Sequence, residues 1–368
     1  MIASADSHFT KIGRDGGQLV NDAEITCPFP ITKYPVVLMA HGGGGALTQE
    51  LIEKMFLPAF GATNLAELHD GAVVKTKGDR LAISTDSFVV SPLFFPGGDI
   101  GELAVNGTVN DLAMCGAQPQ YLTLGFILEE GLSMEVLWQV VRSVTRAADR
   151  AGVSIVTGDT KVVERTKGDG LYINTSGIGF VPDGIDISPR RVRPGDVIVI
   201  SGAIAMHGIT IMSMREGLEF ETLLKSDTTA LADLVGRVLS SLGSSVHLLR
   251  DPTRGGVASA LNEIASSAAV GIEIDEAAIP ISPEVVGACE ILGLDPLYVA
   301  NEGKVLAIVA PDYAEEACSL MREDPRGAEA AVVGRVVDEH PGRVSLRSRV
   351  GGRRMLDLFS NELLPRIC

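Results

Sequence analysis

Over 368 residues the sequence has one tryptophan, and aromatic side chains make up only 5% of it; Lys/Arg runs and long apolar runs are missing. Each gap excludes something. A helix needs about 18 consecutive apolar residues to cross a bilayer, and no stretch comes near that. Residues 1–35 lack the charged start and continuous apolar stretch of a secretory leader. A formal charge of −16 with no local cluster of cations repels phosphate backbones and anionic lipid, so neither nucleic acid nor membrane is expected as a partner. Cysteine is sparse and scattered: Cys27, Cys115, Cys289, Cys318 and Cys368 are odd in number and have no CxxC spacing. That argues against a disulfide framework and a zinc site, and a reducing cytoplasm fits. The pattern GxxxxGK[ST] is absent as well, so a nucleotide site, if present, is of another kind.

What is present is enough chain for roughly two domains of about 150 residues, with strand and helix patterns mixed in both halves. Residues 1–35 read as an extension without chemistry. From 36 to 185 the pattern is that of a first domain: a strand breaking into HGGGG and a helix with Leu47, Leu51, Ile52, Met55 and Phe56 at helical spacing, then a hairpin around Gly78-Asp79. A helix is expected from near Asp99 to Gly116, a strand over YLTLGFIL, a helix from about Ser133 to Gly152, and two further strands. The Pro- and Arg-rich link ISPRRVRPGD, near 185–194, leads into a second domain over 190–343. Beyond Arg343 no core pattern continues, and 344–368 read as a mobile tail in which Pro365 biases Leu364 toward an extended conformation.

Several polar residues stand where chemistry could sit. The HGGGG loop, His41 to Gly45, between a strand and a helix could present backbone N–H groups to a phosphate, or it is only a tight turn. Asp70, Asp86, Asp111, Asp159 and Asp251 recur at strand ends. One alone is usually a capping or solvated group; several together suit Mg²⁺, which takes a few carboxylate oxygens plus water and phosphate. Glu102, Asn106 and Asn110 form a polar stripe at i, i+4 spacing, facing either solvent or a ligand or subunit. Lys161 in GDTKVV could neutralise phosphate charge. Arg254 precedes two glycines, and Glu302 and Lys304 follow a strand in ANEGK.

Taken in order, AHGGGG, TDSF, GDIGELAVNGTVNDLAMCGAQP, GDTKVV, RDPTRGGVASALNEIA, NEGK and the terminal PRIC resemble the HypE family of hydrogenase maturation proteins, from about Val36 to Cys368. The wider group includes the aminoimidazole ribonucleotide and selenophosphate synthetases. The latter keeps a reactive Cys or selenocysteine in its glycine loop; here that loop has none, and neither synthetase needs a C-terminal thiol. The resemblance implies an α/β (α+β), two-domain PurM-like fold: an N-terminal mixed sheet with helices forming a dimer barrel, a C-terminal α/β sandwich, and a flexible tail. It further implies ATP and Mg²⁺, a homodimer, a HypF-type carbamoyltransferase and a HypC–HypD-type iron scaffold. By motif, the nucleotide side would comprise Gly42, Gly43, Gly44, Gly45, Asp86, Asn106, Asn110 and Asp159, and the metal side Asp70, Asp86, Asp111 and Asp251. Cys368 would carry a carbamoyl group to be dehydrated to thiocyanate, with Glu302 as base and Lys161 steadying the phosphorylated oxygen or the γ-phosphate.

Overall fold

The computed structural model describes residues 45–51, 53–54, 72–75, 80–217, 224–358 and 366–368. Gly42, Gly43, Gly44 and Asp70, the helical residues Ile52, Met55 and Phe56, and the Leu364-Pro365 step lie outside the described residues.

Two sheets organise the chain. Strands β1 (Ala72–Lys75), β2 (Arg80–Phe88), β5 (Gln118–Glu129), β6 (Ser154–Val163) and β7 (Leu171–Val181) form one, in the order β1-β2-β7-β5-β6. β3 (Phe94–Phe95) and β4 (Gly98–Asp99) make a separate small ladder. β1 and β2 pair antiparallel from Lys75 opposite Arg80, the hairpin expected around Gly78-Asp79. β5 and β6 are parallel, which requires a crossover connection; helix α3 (Met134–Ala151) supplies it, after the short helix α1 (Ala46–Leu51) and helix α2 (Ile100–Met114).

Local signals set the helix ends where the sequence placed them. Asp99 caps α2 by accepting hydrogen bonds from Gly101 N–H at 2.8 Å and Glu102 N–H at 3.1 Å. Ser133 caps α3, and Gly152 ends it with φ 67°, a left-handed conformation that suits glycine.

The second sheet has seven strands: β8 (Val197–Ile200), β9 (Val246–Arg250), β10 (Gly271–Asp275), β11 (Leu306–Val309), β12 (Ala331–Val337), β13 (Arg343–Arg347) and β14 (Arg353–Leu356). Their order is β14-β13-β10-β12-β8-β11-β9. Helices α4 (Met206–Arg215), α5 (Ala232–Leu242), α6 (Gly256–Ala268), α7 (Pro283–Leu292) and α8 (Ala314–Arg322) accompany it. The sheet therefore continues past Arg343, where a mobile tail was expected: Val344, Leu346 and Leu356 are buried. Their alternation is too short for a sequence pattern to separate from loop. Among the described residues no helix is long and apolar enough to cross a membrane.

α2 joins the two halves. Every residue of it except Glu102 and Asp111 is buried, as in a helix enclosed on all sides. One flank packs on the first sheet; the other meets the second half.

Candidate active site

A cleft of about 660 Å³ lies between the halves. It collects Asp86 from β2, Asp111 from α2, Asp251 and Arg254 from the loop after β9, Glu302 from the loop before β11, and Cys368. Six of the residues singled out from sequence thus share one cavity. They come from chain segments as far apart as Asp86 and Cys368, and the fold brings them together through the loops at the ends of β2 and β9.

The loop carrying Arg254 is fixed by its two glycines. Gly255 and Gly256 have φ of 73° and 63°, which side-chain-bearing residues rarely adopt. A Cβ on Gly256 would also come within 2.6 Å of the carbonyl oxygens of Leu297 and Val299. The Glu302 loop is equally constrained. Asn301 accepts from Ala205 N–H at 2.7 Å and donates to Pro252 C=O at 2.8 Å, while Asp227 accepts from Glu302 N–H at 3.1 Å.

The electrostatics are those of negative charge confined. Burial raises the proton affinity of Asp251, and the carboxylate of Asp86 adds to it, so its pKa rises to about 6. Burial also raises Asp86, with Arg254 pulling the other way. Glu302 is held well above the carboxylate range by burial, then by Asp251, Asp227 and Asp86. Its buried Oε1 has no hydrogen-bond partner, which leaves an acceptor available to a ligand. Arg254 answers them: its pKa is raised by negative charge at Cys368 first, then by Asp86, Glu302 and Asp111.

The carboxylates fit a hard cation of a particular kind. Among the described residues no three Asp, Glu, His or Cys side chains are grouped closely enough to hold a metal by themselves. Asp86, Asp111 and Asp251 surround the cleft instead of forming a cage, and Asp111 also accepts a hydrogen bond from Ser84. That disposition suits an ion completed by water and phosphate oxygens.

A pH dependence follows. Asp251 binds its proton more tightly folded than unfolded, so its contribution to stability is fully present below the ordinary value of 3.8 and is lost as pH rises through about 6. At most ~3 kcal/mol is involved. Without divalent cation, the melting temperature of the wild type should fall relative to that of Asp251→Asn as pH is raised from about 4 to above 6. Parallel curves would contradict the shift.

Four expected site residues stand elsewhere, and one stands at the edge. Asn106 and Asn110 do not face the cleft; they are buried in the seam between the halves. Asn106 donates to Thr228 Oγ1 at 3.4 Å, and Asn110 donates to Thr229 C=O at 3.0 Å and accepts from Leu231 N–H at 2.7 Å. Asn106 thus satisfies the Thr228 hydroxyl, and Asn110 the backbone groups of Thr229 and Leu231. Lys161 and Asp159 pair with each other at 2.7 Å on the exposed strand β6 and do not line the cleft. Lys161 is the first cause lowering the Asp159 pKa. Gly45 precedes α1 and accepts from Gln49 N–H at 3.1 Å; Gln49, not Gly45, reaches the cleft. The sequence reading gave no site role to Arg190, Arg250, Glu263, Asp227 or His207. Of these only Arg250 and Glu263 had a signal, standing beside the DPTRGG motif; the others have no motif partner nearby.

Against known proteins, two family models match: AIR synthase related protein, N-terminal domain, over residues 68–181, and AIR synthase related protein, C-terminal domain, over 193–347. The chain is 51% identical over 330 residues to carbamoyl dehydratase HypE of Rhizobium leguminosarum bv. viciae, covering 90% of this chain and 94% of that one. It is 47% identical over 337 residues to the Escherichia coli K12 protein of the same name, covering 90% and 99%. Among solved structures, the hydrogenase maturation protein HypE in complex with ATP superposes with a TM-score of 0.77 at 47% identity, covering 90% of this chain and all of that one. A HypE–HypF complex matches with a TM-score of 0.80 at 46% identity, over 84% and 99%.

Proposed function

The chain belongs to the carbamoyl dehydratase HypE family, and we propose that it dehydrates an S-carbamoyl group on Cys368 to a thiocyanate at the expense of ATP, supplying cyanide for the iron of [NiFe]-hydrogenase. The observation that carries this reading is the presence of the half-buried Cys368 in the same cleft as Glu302, Arg254 and three aspartates.

The chemistry sets what the cleft must do. In R–S–CO–NH₂ oxide is too poor a leaving group to depart, so the carbonyl oxygen attacks the γ-phosphate of ATP and leaves within phosphate, with ADP as the other product. Both N–H protons have to go, leaving R–S–C≡N. Glu302 is the base: its Oε1 is buried without a hydrogen-bond partner, and its raised proton affinity makes it the stronger proton acceptor once it has lost its own proton. Neutralising Asp86 and Asp251 would remove two of the three carboxylates that hold a proton on Glu302, so its readiness as a base is tied to what those aspartates bind. Mg²⁺ there would offset charge developing in phosphoryl transfer. Arg254, beside Cys368, stabilises negative charge on the oxygen being transferred.

Partners follow from the route. The tail would receive its carbamoyl group from a HypF-type carbamoyltransferase and deliver cyanide to a HypC–HypD-type scaffold in the cytoplasm. We also propose a homodimer joined through the first sheet, because its outer face exposes Ile83, Tyr121, Ile127 and Phe180 together. Lys161 and Asp159 then belong to that interface, and Lys161 would act in a cleft completed by the partner. Analytical ultracentrifugation should give a dimer that Phe180→Asp weakens at least about tenfold; a wild-type monomer at micromolar concentration would reject the assignment. The dehydration itself is tested by intact mass: S-carbamoylated protein given Mg-ATP should lose one water as ADP and phosphate appear. ATP consumed at unchanged mass would reject it.

A further inference from the structure

Lys304 stands two residues after Glu302 and takes no part in the reaction proposed for the cleft. It is a lysine almost out of water: its side chain is 12% exposed, and that of Asp227 beside it 5%. Lysine is rarely so buried unless it is paired. Its stem runs over the turn after β8, where a Cβ on Gly202 would meet Cε at 3.6 Å and Cδ at 3.8 Å. At its end the ammonium donates to Gly303 C=O at 3.2 Å and lies 3.3 Å from Asp227 Oδ2. Among the described residues that oxygen makes no hydrogen bond, so the ammonium is within ion-pair distance of it but off the line of a bond. Charge joins the two.

Asp227 rides on a segment pinned on both sides of it. Ser226 N–H donates to Pro96 C=O at 2.8 Å, and the Ser226 hydroxyl accepts from Thr228 N–H at 3.1 Å. Further on, Asn110 holds Thr229 and Leu231. The second carboxylate oxygen, Oδ1, accepts from Glu302 N–H at 3.1 Å. Beside that bond the two backbones touch: a Cβ on Gly303 would stand 1.8 Å from the Asp227 carbonyl oxygen, so only glycine fits. One carboxylate therefore spans the Glu302 peptide and the Lys304 ammonium. The three carboxylates that crowd Glu302 are Asp251, Asp227 and Asp86, and they are not alike. Asp86 and Asp251 line the cleft and feel Arg254; Asp227 does not line it, and the cation facing it is Lys304.

We infer that Asp227 and Lys304 are a positioning pair behind Glu302: the carboxylate holds the peptide of the base, and the ammonium balances the crowding charge that lies outside the cleft. The inference rests on the role of Glu302 in the proposed function. A buried ion pair adds little net stability, because both ions lose their water, but removing one partner leaves a buried charge alone. Here the lone charge would sit one hydrogen bond from the base. Loss of Lys304 leaves an unanswered carboxylate against the Glu302 loop, and loss of the Asp227 charge leaves an unanswered ammonium there. Loss of both charges, with Oδ1 kept as acceptor, leaves the Glu302 N–H bond in place and nothing charged behind it.

The test is a double-mutant cycle on the full-length protein. Dehydration of the S-carbamoylated forms is followed by intact mass in a single turnover, and ATP affinity is measured by calorimetry on the unmodified forms. Lys304→Met keeps the stem over Gly202 and loses the charge. Asp227→Asn loses the charge and keeps the acceptor for Glu302 N–H. Each should slow dehydration about tenfold, the middle of the range for coupled neighbours, with ATP affinity within about twofold of wild type. The double variant should recover to within about threefold of wild type. A single variant that dehydrates within about twofold of wild type overturns the pair, as does a double variant slowed by the product of the two single effects. A loss of ATP affinity that tracks the rate also overturns it, because a loosened fold then explains both. Should Lys304→Met not fold, Asp227→Asn decides by the same limits. Wild-type protein that consumes ATP at unchanged mass fails the proposed function and this inference with it; wild type that dehydrates no faster than its variants fails the inference alone.

Discussion

Cys368→Ala should accept no carbamoyl group and form no thiocyanate, while keeping the wild-type melting temperature and ATP affinity. The expected loss is complete because the residue is the substrate carrier, so no residual rate is left for other groups to supply. The fold gives no cause for collapse: the tail is fixed by the carbonyls of Arg366, Ile367 and Cys368 and by the Ile367 side chain, all of which alanine leaves in place. The other described thiols cannot substitute. Cys115, Cys289 and Cys318 are buried, and burial pushes Cys289 up to about 11 and raises Cys318, which disfavours the nucleophilic thiolate. Mass spectrometry after incubation with the carbamoyltransferase and its substrates decides it; a carbamoylated alanine variant would remove Cys368 from the centre of the mechanism.

Glu302→Gln should bind ATP and accept the carbamoyl group normally, yet dehydrate at least about 10²-fold more slowly, the usual contribution of a positioned base. The amide keeps the shape and the backbone contacts through which Glu302 N–H reaches Asp227 and its carbonyl accepts from Asn110. Only proton acceptance is lost. The buried loop should tolerate the change, because the amide, like the protonated carboxyl, places no charge beside Asp251, Asp227 and Asp86. Single-turnover mass measurements on the carbamoylated variant give the rate, and dehydration at the wild-type rate would assign the base elsewhere.

How much of this was legible in the sequence varies residue by residue. The ends of α2 and α3 were, because Asp99, Ser133 and Gly152 act on backbone within three residues of themselves. The β1–β2 hairpin was, for the same local reason. The carboxylates were legible as a set through their motifs, although nothing in the sequence says that Asp86, Asp111 and Asp251 surround a cleft without forming a metal cage. The strands over 343–347 and 353–356 were not, since their burial comes from neighbours elsewhere in the sheet.

By itself the sequence determined the chemistry available: acidic residues in motif, a glycine pair after Arg254, a glutamate after a strand, and a thiol on an arm. Tertiary structure alone decided who meets whom. Asn106 and Asn110 share a helical stripe, but their partners lie more than a hundred residues away in a seam that excludes water, so they serve the fold. Lys161 sits in a motif yet on a strand outside its own cleft. His207 has no motif at all, and it holds a carbonyl 160 positions further along the chain. Residue type and spacing fix what a side chain can do, whereas a hydrogen bond of 2.7 Å depends on where distant segments pack, and that is set only when the whole core closes.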